Sequence, residues 1–369
     1  MPPIHYHSGK FPPKNIDLEY LLPKIETAIS AIAGYEGALS GIPNSEVLLS
    51  PLTTQEAVLS SRIEGTHVTM EEVLEYEAGV KAKTDEKRSD IQEIINYRTA
   101  MRTAIASMEK FSLSLRVVKE AHKALMQGVR GKNRAPGEFR RTSVHIGPDD
   151  RVENAKFVPI NAGDLPGAVS EWEKYLHQEL PSKLIQLAVV HAEFEAIHPF
   201  LDGNGRVGRL LIPLFMVHKG IINSPSFYIS AYLEENRDQY YEMLGRVSSH
   251  DDWTGWCAFF IQALSIQGLE NRIRVLKIIA LYGATKTWAR STLKSQYGET
   301  AVDWLFRDPI FSTSDFINKS GIPAPTARRL LREARAQGVL AYLREPSGRR
   351  PGVMIFPELV RTAEGSSSS

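Results

Sequence analysis

The segment 182–197, SKLIQLAVVHAEFEAI, constrains the fold most strongly, because it runs for sixteen residues without glycine or proline. Its side chains are apolar on almost every side, and the run is too long for a typical strand. A helix that is apolar all round is stable only where other elements cover it. The sequence therefore predicts a buried helix at 182–197.

The sequence HPFLDGNGRVGR, residues 198–209, follows this helix directly. Residues 203–208, GNGRVG, fit the G-x-G-x-x-G pattern of dinucleotide-binding sites. That pattern needs a strand before it and an acidic residue about 20 positions beyond it, and neither is present here. A Walker A loop is also excluded, because no Gly-Lys-Ser/Thr sequence follows a glycine-rich run.

The motif nevertheless has the features of an anion site. Its three glycines and one asparagine allow backbone N–H groups to converge, and the apolar run up to Gly220 predicts a helix that begins at the motif. Arg206 and Arg209 lie one turn apart, and Asp202 offers an oxygen ligand for Mg²⁺ that carries a polyphosphate. His198 is placed as a general base, and an ordinary histidine pKa near 6.5 suits that role. The alternative is a tight glycine-rich turn with two surface arginines.

A zinc site is disfavoured. His191-Ala192-Glu193 imitates the H-x-E half of zinc deaminases, but the chain has one cysteine and lacks the P-C-x-x-C half. His191 and His198 are seven residues apart, without an evident third ligand. We expect His191 to be a hydrogen-bonded core histidine.

Composition describes an ordinary globular protein. With 44 basic and 43 acidic side chains, the net charge of +1 provides no global field that favours nucleic acid or a membrane. No stretch of 18 apolar residues and no secretory signal are visible. We therefore expect a cytoplasmic protein with no membrane partner.

Further local signals divide the chain. Two capping boxes, Thr53 with Glu56 and Thr69 with Glu72, predict helices at about 53–65 and 69–79. Two more helices are expected within 90–128, separated near Phe111. Residues 142–147 and 157–160 are short and β-like, and Pro148-Asp149-Asp150 lies between them, which predicts a small hairpin.

The segment 300–362 has a different character. It reads as helix, turn with Gly321, helix and strand, and REPSGRRPGVMIF then adds a wing-like hairpin. Between residues 311 and 369 there are nine Lys/Arg and five Asp/Glu, a local excess of four positive charges. These features predict a winged helix-turn-helix.

Residues 198–209 match H-P-F-x-D/E-G-N-G-R-x-x-R at every specified position, and the sequence thereby resembles the Fic/Doc family. LTTQEAVLSSRIEGTHVT is similar to the family's N-terminal segment with the inhibitory motif S/T-x-x-x-E-G/N. GEFRRTSVHIG with ENAKFVPI resembles its flap hairpin, and ENRDQYYEML resembles a nucleotide-facing helix.

The resemblance implies a mainly α fold, a Fic-type helical bundle with a small β-hairpin flap, plus the C-terminal winged helix-turn-helix. The expected segments are an N-terminal helical segment at 1–89 with an inhibitory helix at about 53–65, the Fic catalytic core at 90–265, a helical connector at 266–299, the winged segment at 300–362 and a disordered tail at 363–369.

The implied activity is that of a protein adenylyltransferase, which transfers AMP from ATP to a Tyr, Thr or Ser hydroxyl of a protein and releases pyrophosphate. By resemblance, His198 is the catalytic base and Asp202 binds Mg²⁺. The expected nucleotide-binding residues are Gly203, Asn204, Gly205, Arg206, Val207, Gly208 and Arg209, with Tyr240 and Tyr241 facing adenine and ribose or else belonging to the core.

Two further groups of residues are implied. The inhibitory motif comprises Ser60, Glu64 and Gly65, and the small residues of its helix favour close approach, so that Glu64 reaches Arg209. Val144, His145, Ile146 and Gly147 of the flap would hold an extended target segment by β-augmentation. The alternative for the flap is a purely structural hairpin.

Other functions remain open on the sequence. A Fic-type site could remove AMP or transfer another phosphate-containing group, and a DNA-binding regulator could carry a vestigial Fic core. The partners considered are a target protein, which could be the chain itself, a second copy in a homodimer, and DNA, which is less favoured.

Overall fold

The computed structural model describes residues 2–42, 45–128, 134–149 and 151–365. The structure is mainly helical with two small sheets. The helices are α1 (Leu18–Ser40), α2 (Ser45–Leu48), α3 (Ser50–Ile63), α4 (Met70–Glu77), α5 (Asp85–Met108), α6 (Leu115–Leu125), α7 (Leu165–His177), α8 (Lys183–Ile197), α9 (Asn204–His218), α10 (Ser230–Glu235), α11 (Arg237–His250), α12 (Trp253–Trp288), α13 (Gly298–Arg307), α14 (Thr313–Lys319), α15 (Ala324–Ala336) and α16 (Pro357–Glu364). The strands are β1 (Ile4–His5), β2 (Phe157–Val158), β3 (Ile310–Ser312), β4 (Ala341–Arg344) and β5 (Val353–Ile355).

The chain forms two compact units that are discontinuous in sequence. The first contains Met1–Gly34, Leu59–Gly65 and Ile95–Leu269, and the second contains Tyr35–Val58, Thr66–Ile94 and Glu270–Ser369. The predicted inhibitory motif, Ser60 to Gly65, thus shares a unit with residues 198–209, although about 130 residues separate them in the chain. Across the described ranges, no helix is both long and apolar enough to cross a membrane.

The predicted buried helix is α8. Thirteen of its fifteen residues are buried, and its N-cap Ser182 accepts a hydrogen bond from the backbone N–H of Ile185. The buried side chain of Gln186 donates from Nε2 to the carbonyl oxygens of Tyr175 and Gln178, both at 2.8 Å. Helix α8 is buried because its side chains are apolar on almost every side and need neighbouring helices to cover them.

One of the two capping boxes is present. Thr69 accepts from the N–H of Glu72, and the Glu72 carboxylate accepts from the N–H of Thr69. The box predicted at Thr53 is wrong, because α3 already begins at Ser50 and Thr53 lies inside it, where its hydroxyl donates to the carbonyl of Leu49. Pro51 accounts for the earlier start, since proline fits the first helical turn and supplies no N–H that needs an acceptor there.

In place of the predicted flap hairpin, the structure has a single antiparallel bridge between Ile146 and Phe157. Phe157 belongs to strand β2, whereas Ile146 does not belong to a strand. The carbonyl oxygen of Thr142 accepts a hydrogen bond from the Arg140 side chain instead of a strand partner. Strand β2 pairs in parallel with β1 from the N-terminal arm. Of the predicted turn, Asp150 lies outside the described residues.

The arm is anchored by the buried carboxylate of Glu193 on α8. Its Oε1 accepts from the hydroxyl of Tyr6 at 2.6 Å, and its Oε2 lies 2.8 Å from Nε2 of His7. The other ring nitrogen of His7 lies 2.8 Å from the hydroxyl oxygen of Ser248 on α11. The N-terminal arm therefore connects α8 to α11 through its side chains. Its backbone, as strand β1, pairs with β2 of the flap.

Within the second unit, α13, β3, α14, α15, β4, β5 and α16 follow one another in that order. Strands β3, β5 and β4 form one antiparallel sheet with β5 in the middle. This is the helix, turn, helix and hairpin order that the sequence predicts at 300–362. Residues 363–364 belong to α16 and not to a tail, and 366–369 lie outside the described residues.

We expect His7→Ala to lower the melting temperature by several degrees. The substitution leaves the buried Glu193 carboxylate with one donor, and an unsatisfied buried polar group costs about 1–3 kcal/mol. Thermal unfolding followed by circular dichroism measures the effect. His5→Ala is the matched control, because His5 is an exposed histidine of the same arm. Equal melting temperatures for both variants and the wild type would contradict the anchoring role of His7.

Candidate active site

The turn between α8 and α9 sets the geometry of the site. His198 caps α8 in the left-handed region with φ 51°, and Gly203 precedes α9 with φ 77°. The buried side chain of Asn204 closes the turn, because its Oδ1 accepts from the N–H of Phe200 at 2.8 Å and its Nδ2 donates to the carbonyl of Phe200 at 2.9 Å. Positive φ is uncommon for a residue other than glycine and is concentrated at functional sites.

Arg140 connects this turn to the start of the flap at Thr142. The sequence did not predict a role for this residue. Its side chain is 3% exposed and donates to the carbonyl oxygen of His198 at 2.8 Å and to that of Thr142 at 3.0 Å. It also donates to the carbonyls of Ile160 and Ile197. No local pattern marks this arginine, because its acceptors are 2 to 58 residues away along the chain.

His198 is neutral at neutral pH. Burial lowers its pKa to about 4, and Glu64 and the carbonyl of Glu195 only partly oppose this shift. The pKa near 6.5 that the sequence analysis expects for His198 is therefore wrong, because burial makes it lower. The neutral imidazole can accept a proton at one of its ring nitrogens.

Arg209 on α9 is 1% exposed, and its side chain donates hydrogen bonds to Ser60 and Glu64 of the predicted inhibitory motif. Its Nε donates to the hydroxyl of Ser60 at 2.9 Å, and its Nη2 donates to the carbonyl of Ser60 at 2.8 Å and to Oε1 of Glu64 at 2.7 Å. Burial opposes the charge of Arg209, but Glu64 raises its pKa well above the usual value. The predicted pairing of Glu64 with Arg209 is present.

Glu64 lies over the first turn of α9. A Cβ added to Gly205 would collide with Oε1 of Glu64, so only glycine leaves room for the carboxylate there. Burial alone would raise the pKa of Glu64, but Arg209, Arg206 and His198 together lower it. Gly65 follows with φ 94°, which ends α3. The carboxylate thus occupies the position at a helix N-terminus that favours an anion.

Asp202 and Arg206 lie on the other side of the same turn. Oδ1 of Asp202 accepts from the N–H of Gly203 at 2.6 Å and lies 3.5 Å from Nη2 of Arg206. The Asp202 side chain is 44% exposed, and the described residues contain no cluster of three metal-ligating side chains. A partly exposed carboxylate fits Mg²⁺ that takes its remaining ligands from phosphates and water.

A cavity of about 620 Å³ opens beside Glu64. Of the predicted site residues, Glu64, Ile146, Gly147 and Tyr241 line it. The other predicted flap residues, Val144 and His145, are partly buried and do not line it. Ile4 of the arm and Glu195 of α8 also contribute to the wall, which the sequence did not indicate.

Of the two tyrosines, Tyr241 is 42% exposed and lines the cavity, and its contact with the nucleotide stays a prediction. Tyr240 is 1% exposed, and its hydroxyl lies 2.9 Å from Nε2 of His191. Tyr240 therefore belongs to the core, the alternative that the sequence left open. His191 is the hydrogen-bonded core histidine that the sequence predicts, with its Nδ1 at 3.1 Å from the carbonyl of Gly208.

Residues Val207 and Gly208 face the interior of the unit. Val207 is fully buried, and a Cβ on Gly208 would collide with Oε1 of Glu195. Burial raises the pKa of Glu195 to about 8, although Arg209 opposes the shift. Glu195 is thus a mostly protonated carboxyl group at neutral pH, and it can donate as well as accept a hydrogen bond.

The fold and the geometry define a class of protein: a helical bundle in which two buried arginines at a helix N-terminus lie beside a neutral histidine. Residues 22–106 match the model of the Fic/DOC family N-terminal region, and residues 112–216 match the model of the Fic/DOC family. The chain belongs to the Fic/DOC family.

Two curated relatives are similar over about half of this chain. One is the protein adenylyltransferase Fic of Drosophila grimshawi, 31% identical over 196 residues, which cover 51% of this chain and 37% of that protein. The other is described as a probable protein adenylyltransferase of Aquifex aeolicus, 30% identical over 199 residues, which cover 51% of this chain and 57% of that protein. The chain thus spans only part of the length of either relative.

The fold is also similar to solved structures. A Fic family protein from Desulfovibrio desulfuricans G20 superposes with a TM-score of 0.59 at 18% sequence identity, which covers 93% of this chain and 98% of that one. A Fic domain containing signaling protein from Bacteroides thetaiotaomicron gives a TM-score of 0.54 at 17% identity, with 68% of this chain and 96% of that one covered.

We expect His198 to remain neutral throughout the range from pH 5.5 to 8, because burial lowers its pKa to about 4. NMR of protein labelled in the histidine rings should show no titration step for His198 in that range. His198→Ala assigns the signal by its loss. A midpoint near 6.5 would show that burial does not control the charge of this ring.

Proposed function

We propose that the protein transfers AMP from ATP to a hydroxyl group of a protein side chain, and that Glu64 holds this activity off. The observation that carries the proposal is the placement of the Glu64 carboxylate on Arg209 and over Gly205. In that position an acidic side chain occupies a site built for a phosphate group.

The first turn of α9 supplies the phosphate site. The first backbone N–H groups of a helix have no intrahelical acceptor, and the helix dipole favours negative charge there. Arg206 and Arg209 add two guanidinium groups that can each hold phosphate oxygens in a bidentate manner. Residues 203–206 would hold the α- and β-phosphates, and Arg209 the γ-phosphate.

His198 supplies the base. In the transfer, the hydroxyl oxygen forms a bond to the α-phosphorus, the bond between that phosphorus and the bridging oxygen breaks, and pyrophosphate leaves. The hydroxyl proton passes to the neutral imidazole of His198. Arg140 fixes the backbone at His198 through the carbonyl oxygen of that residue. Phosphoryl-type transfer depends mainly on positioning and charge neutralisation, which these residues provide.

Mg²⁺ fits the site as a companion of ATP. Asp202 would hold it with the exposed part of its carboxylate. When bound, the ion neutralises charge on the phosphate oxygens and orients them.

The cavity of about 620 Å³ suits the nucleoside and the end of the target side chain. Tyr241 forms part of its wall, as do Ile146 and Gly147 of the flap. The exposed edge of residues 144–147 would hold an extended target segment by backbone hydrogen bonds, a mode that tolerates many sequences. The target could be another protein or the chain itself.

Inhibition follows from competition for Arg209. Its guanidinium is buried and already bonded to Ser60 and Glu64, so a γ-phosphate finds it occupied. ATP that lacks this contact would be misplaced, and an error of about 1 Å can cost on the order of 10²-fold in rate. Because Glu64 repels phosphate as well as engaging Arg209, one residue weakens both binding and alignment.

We expect His198→Ala to lose transfer by about 10²- to 10⁴-fold while ATP still binds, because the base is removed and the anion site is retained. The test uses the Glu64→Gly background, with α-labelled ATP for transfer and isothermal titration for ATP affinity. Retention of more than about a tenth of the transfer rate would remove His198 from the role of base.

We expect Glu64→Gly to raise modification of the protein itself or of a target by at least about tenfold, since Arg209 is released for phosphate. The matched control is Glu109→Gly, which removes an exposed glutamate just after the end of α5. Both variants and the wild type are incubated at equal concentration with α-labelled ATP. Equal labelling of Glu64→Gly and Glu109→Gly would leave Glu64 as a structural residue.

The identity of the transferred group is tested separately with two labels. AMP transfer places α-label on protein and leaves γ-label in pyrophosphate. Transfer of γ-label would instead indicate a different phosphate-containing group. Release of AMP from a previously modified protein by the wild type, without any labelling from ATP, would show that removal of AMP is the activity.

A further inference from the structure

Positive charge is concentrated in one short part of the second unit. Residues 324–352 contain seven arginines, two glutamates and no lysine or aspartate, a net charge of +5. The rest of the chain carries a net charge of −4. The near-neutral total therefore conceals a strongly basic segment, which comprises α15 and the hairpin that follows it.

The arginines of α15 lie on the side that faces solvent. Ala327, Leu330, Leu331 and Ala334 are buried and pack into the unit. Arg328, Arg332 and Arg335 are exposed, and their spacing of four and three residues places them along one stripe of the helix. One face of α15 is thus apolar and buried, and the opposite face is basic.

This positive charge is only partly neutralised within the protein. Arg329 is held by Glu333 at 2.9 Å and by the carbonyl of Leu293, so its role is structural. Arg335 lies 3.3 Å from the exposed carboxylate of Glu345. In the described part of the chain, the side chains of Arg328 and Arg332 make no hydrogen bond or ion pair.

The turn between β4 and β5 adds a second basic element. Residues 345–350 are exposed, and they include Arg349 and Arg350. The turn is closed by reciprocal backbone hydrogen bonds between Ser347 and Arg350, at 3.1 and 2.9 Å. The tight turn therefore presents two guanidinium groups, and Glu345 of the turn contacts Arg335 of α15. The turn and the basic face of α15 together could bind a regular array of negative charges.

We infer that α15 and the turn 345–350 form a binding surface for double-stranded DNA, with α15 in the major groove and the turn on the phosphate backbone. The major groove, about 12 Å wide, admits an α-helix. Arginine suits both targets, since its planar guanidinium binds phosphate and the guanine edge in a bidentate manner.

Two other nucleic acids fit the surface less well. The major groove of double-stranded RNA is deep and narrow and excludes a helix. Single strands are bound by aromatic side chains on which bases stack. The exposed residues of α15 and of the turn include no aromatic side chain, and Tyr342 is covered by Arg335, whose guanidinium carbon lies 4.7 Å from the ring centre.

The test measures binding of the full chain to a fluorescent 24-base-pair duplex of random sequence by anisotropy, between 50 and 200 mM salt. The double variant Arg328→Glu/Arg332→Glu should bind at least about tenfold more weakly at 50 mM salt. The slope of log K against log salt should become shallower by about two, since each phosphate contact contributes about −0.9.

The matched control is Arg272→Glu/Lys277→Glu on α12, which makes the same change in net charge at exposed positions outside the surface. It should bind the duplex with a salt slope close to that of the wild type. Circular dichroism and melting temperature verify that both variants are folded. The assay contains no ATP, so its result does not depend on AMP transfer.

Three outcomes overturn the inference. The first is no binding by the wild type at 50 mM salt up to about 100 μM, the weak end of non-specific DNA binding. The second is an equal loss in both double variants, which would show only an effect of net charge. The third is tighter binding to single-stranded RNA or to polyglutamate than to the duplex, which would assign the surface to another class of partner.

Discussion

A buried guanidinium group requires an anion, and the site is organised around that requirement. Arg209 is 1% exposed, and its side chain donates to the hydroxyl of Ser60 and to the carboxylate of Glu64, which balances its charge. A buried charge that loses its partner is costly, typically by several kcal/mol. Withdrawal of residues 59–65 would therefore leave Arg209 in need of another anion. The inhibited and nucleotide-bound states that we propose are two ways to satisfy the same residue.

The elements nearest the motif were predictable because local patterns determine them. The apolar run of α8, the glycine-to-helix transition at α9 and the Thr69 capping box each depend on residues within a few positions of one another. The pairing of Glu64 with Arg209 spans 145 residues, yet it too could be expected. Glu64 belongs to the predicted inhibitory motif and Arg209 to the motif at 198–209, so the family resemblance identifies both partners.

Other features could not be predicted, because distant residues decide them. Thr53 fits a capping box locally, but the helix starts earlier at Ser50. Arg140 has no sequence signature, since its acceptors come from the flap and the motif together. The pKa of His198 depends on burial, and burial is a property of the assembled unit. Tyr240 and Tyr241 are adjacent in sequence, and only the packing of α11 places one in the core and the other at the cavity.

Hydrogen bonds between buried polar groups connect distant parts of the first unit. Arg140 bonds carbonyls on both sides of the motif, and His191 joins Tyr240 to α9. Such groups specify one arrangement more sharply than apolar contacts do, because an unmade buried hydrogen bond is costly. Glu195 differs from these groups, because its buried Oε1 has no hydrogen-bond partner among the described residues and burial raises its pKa to about 8.

The N-terminal arm has a consequence for biosynthesis. The partners of Tyr6 and His7, Glu193 and Ser248, are synthesised 186 to 241 residues after them. At about 5–20 residues per second, the arm waits on the order of 10 to 50 s before Ser248 has been made. Strand β1 is thus made well before the residues that anchor it, and its side-chain contacts form only after those residues have been added.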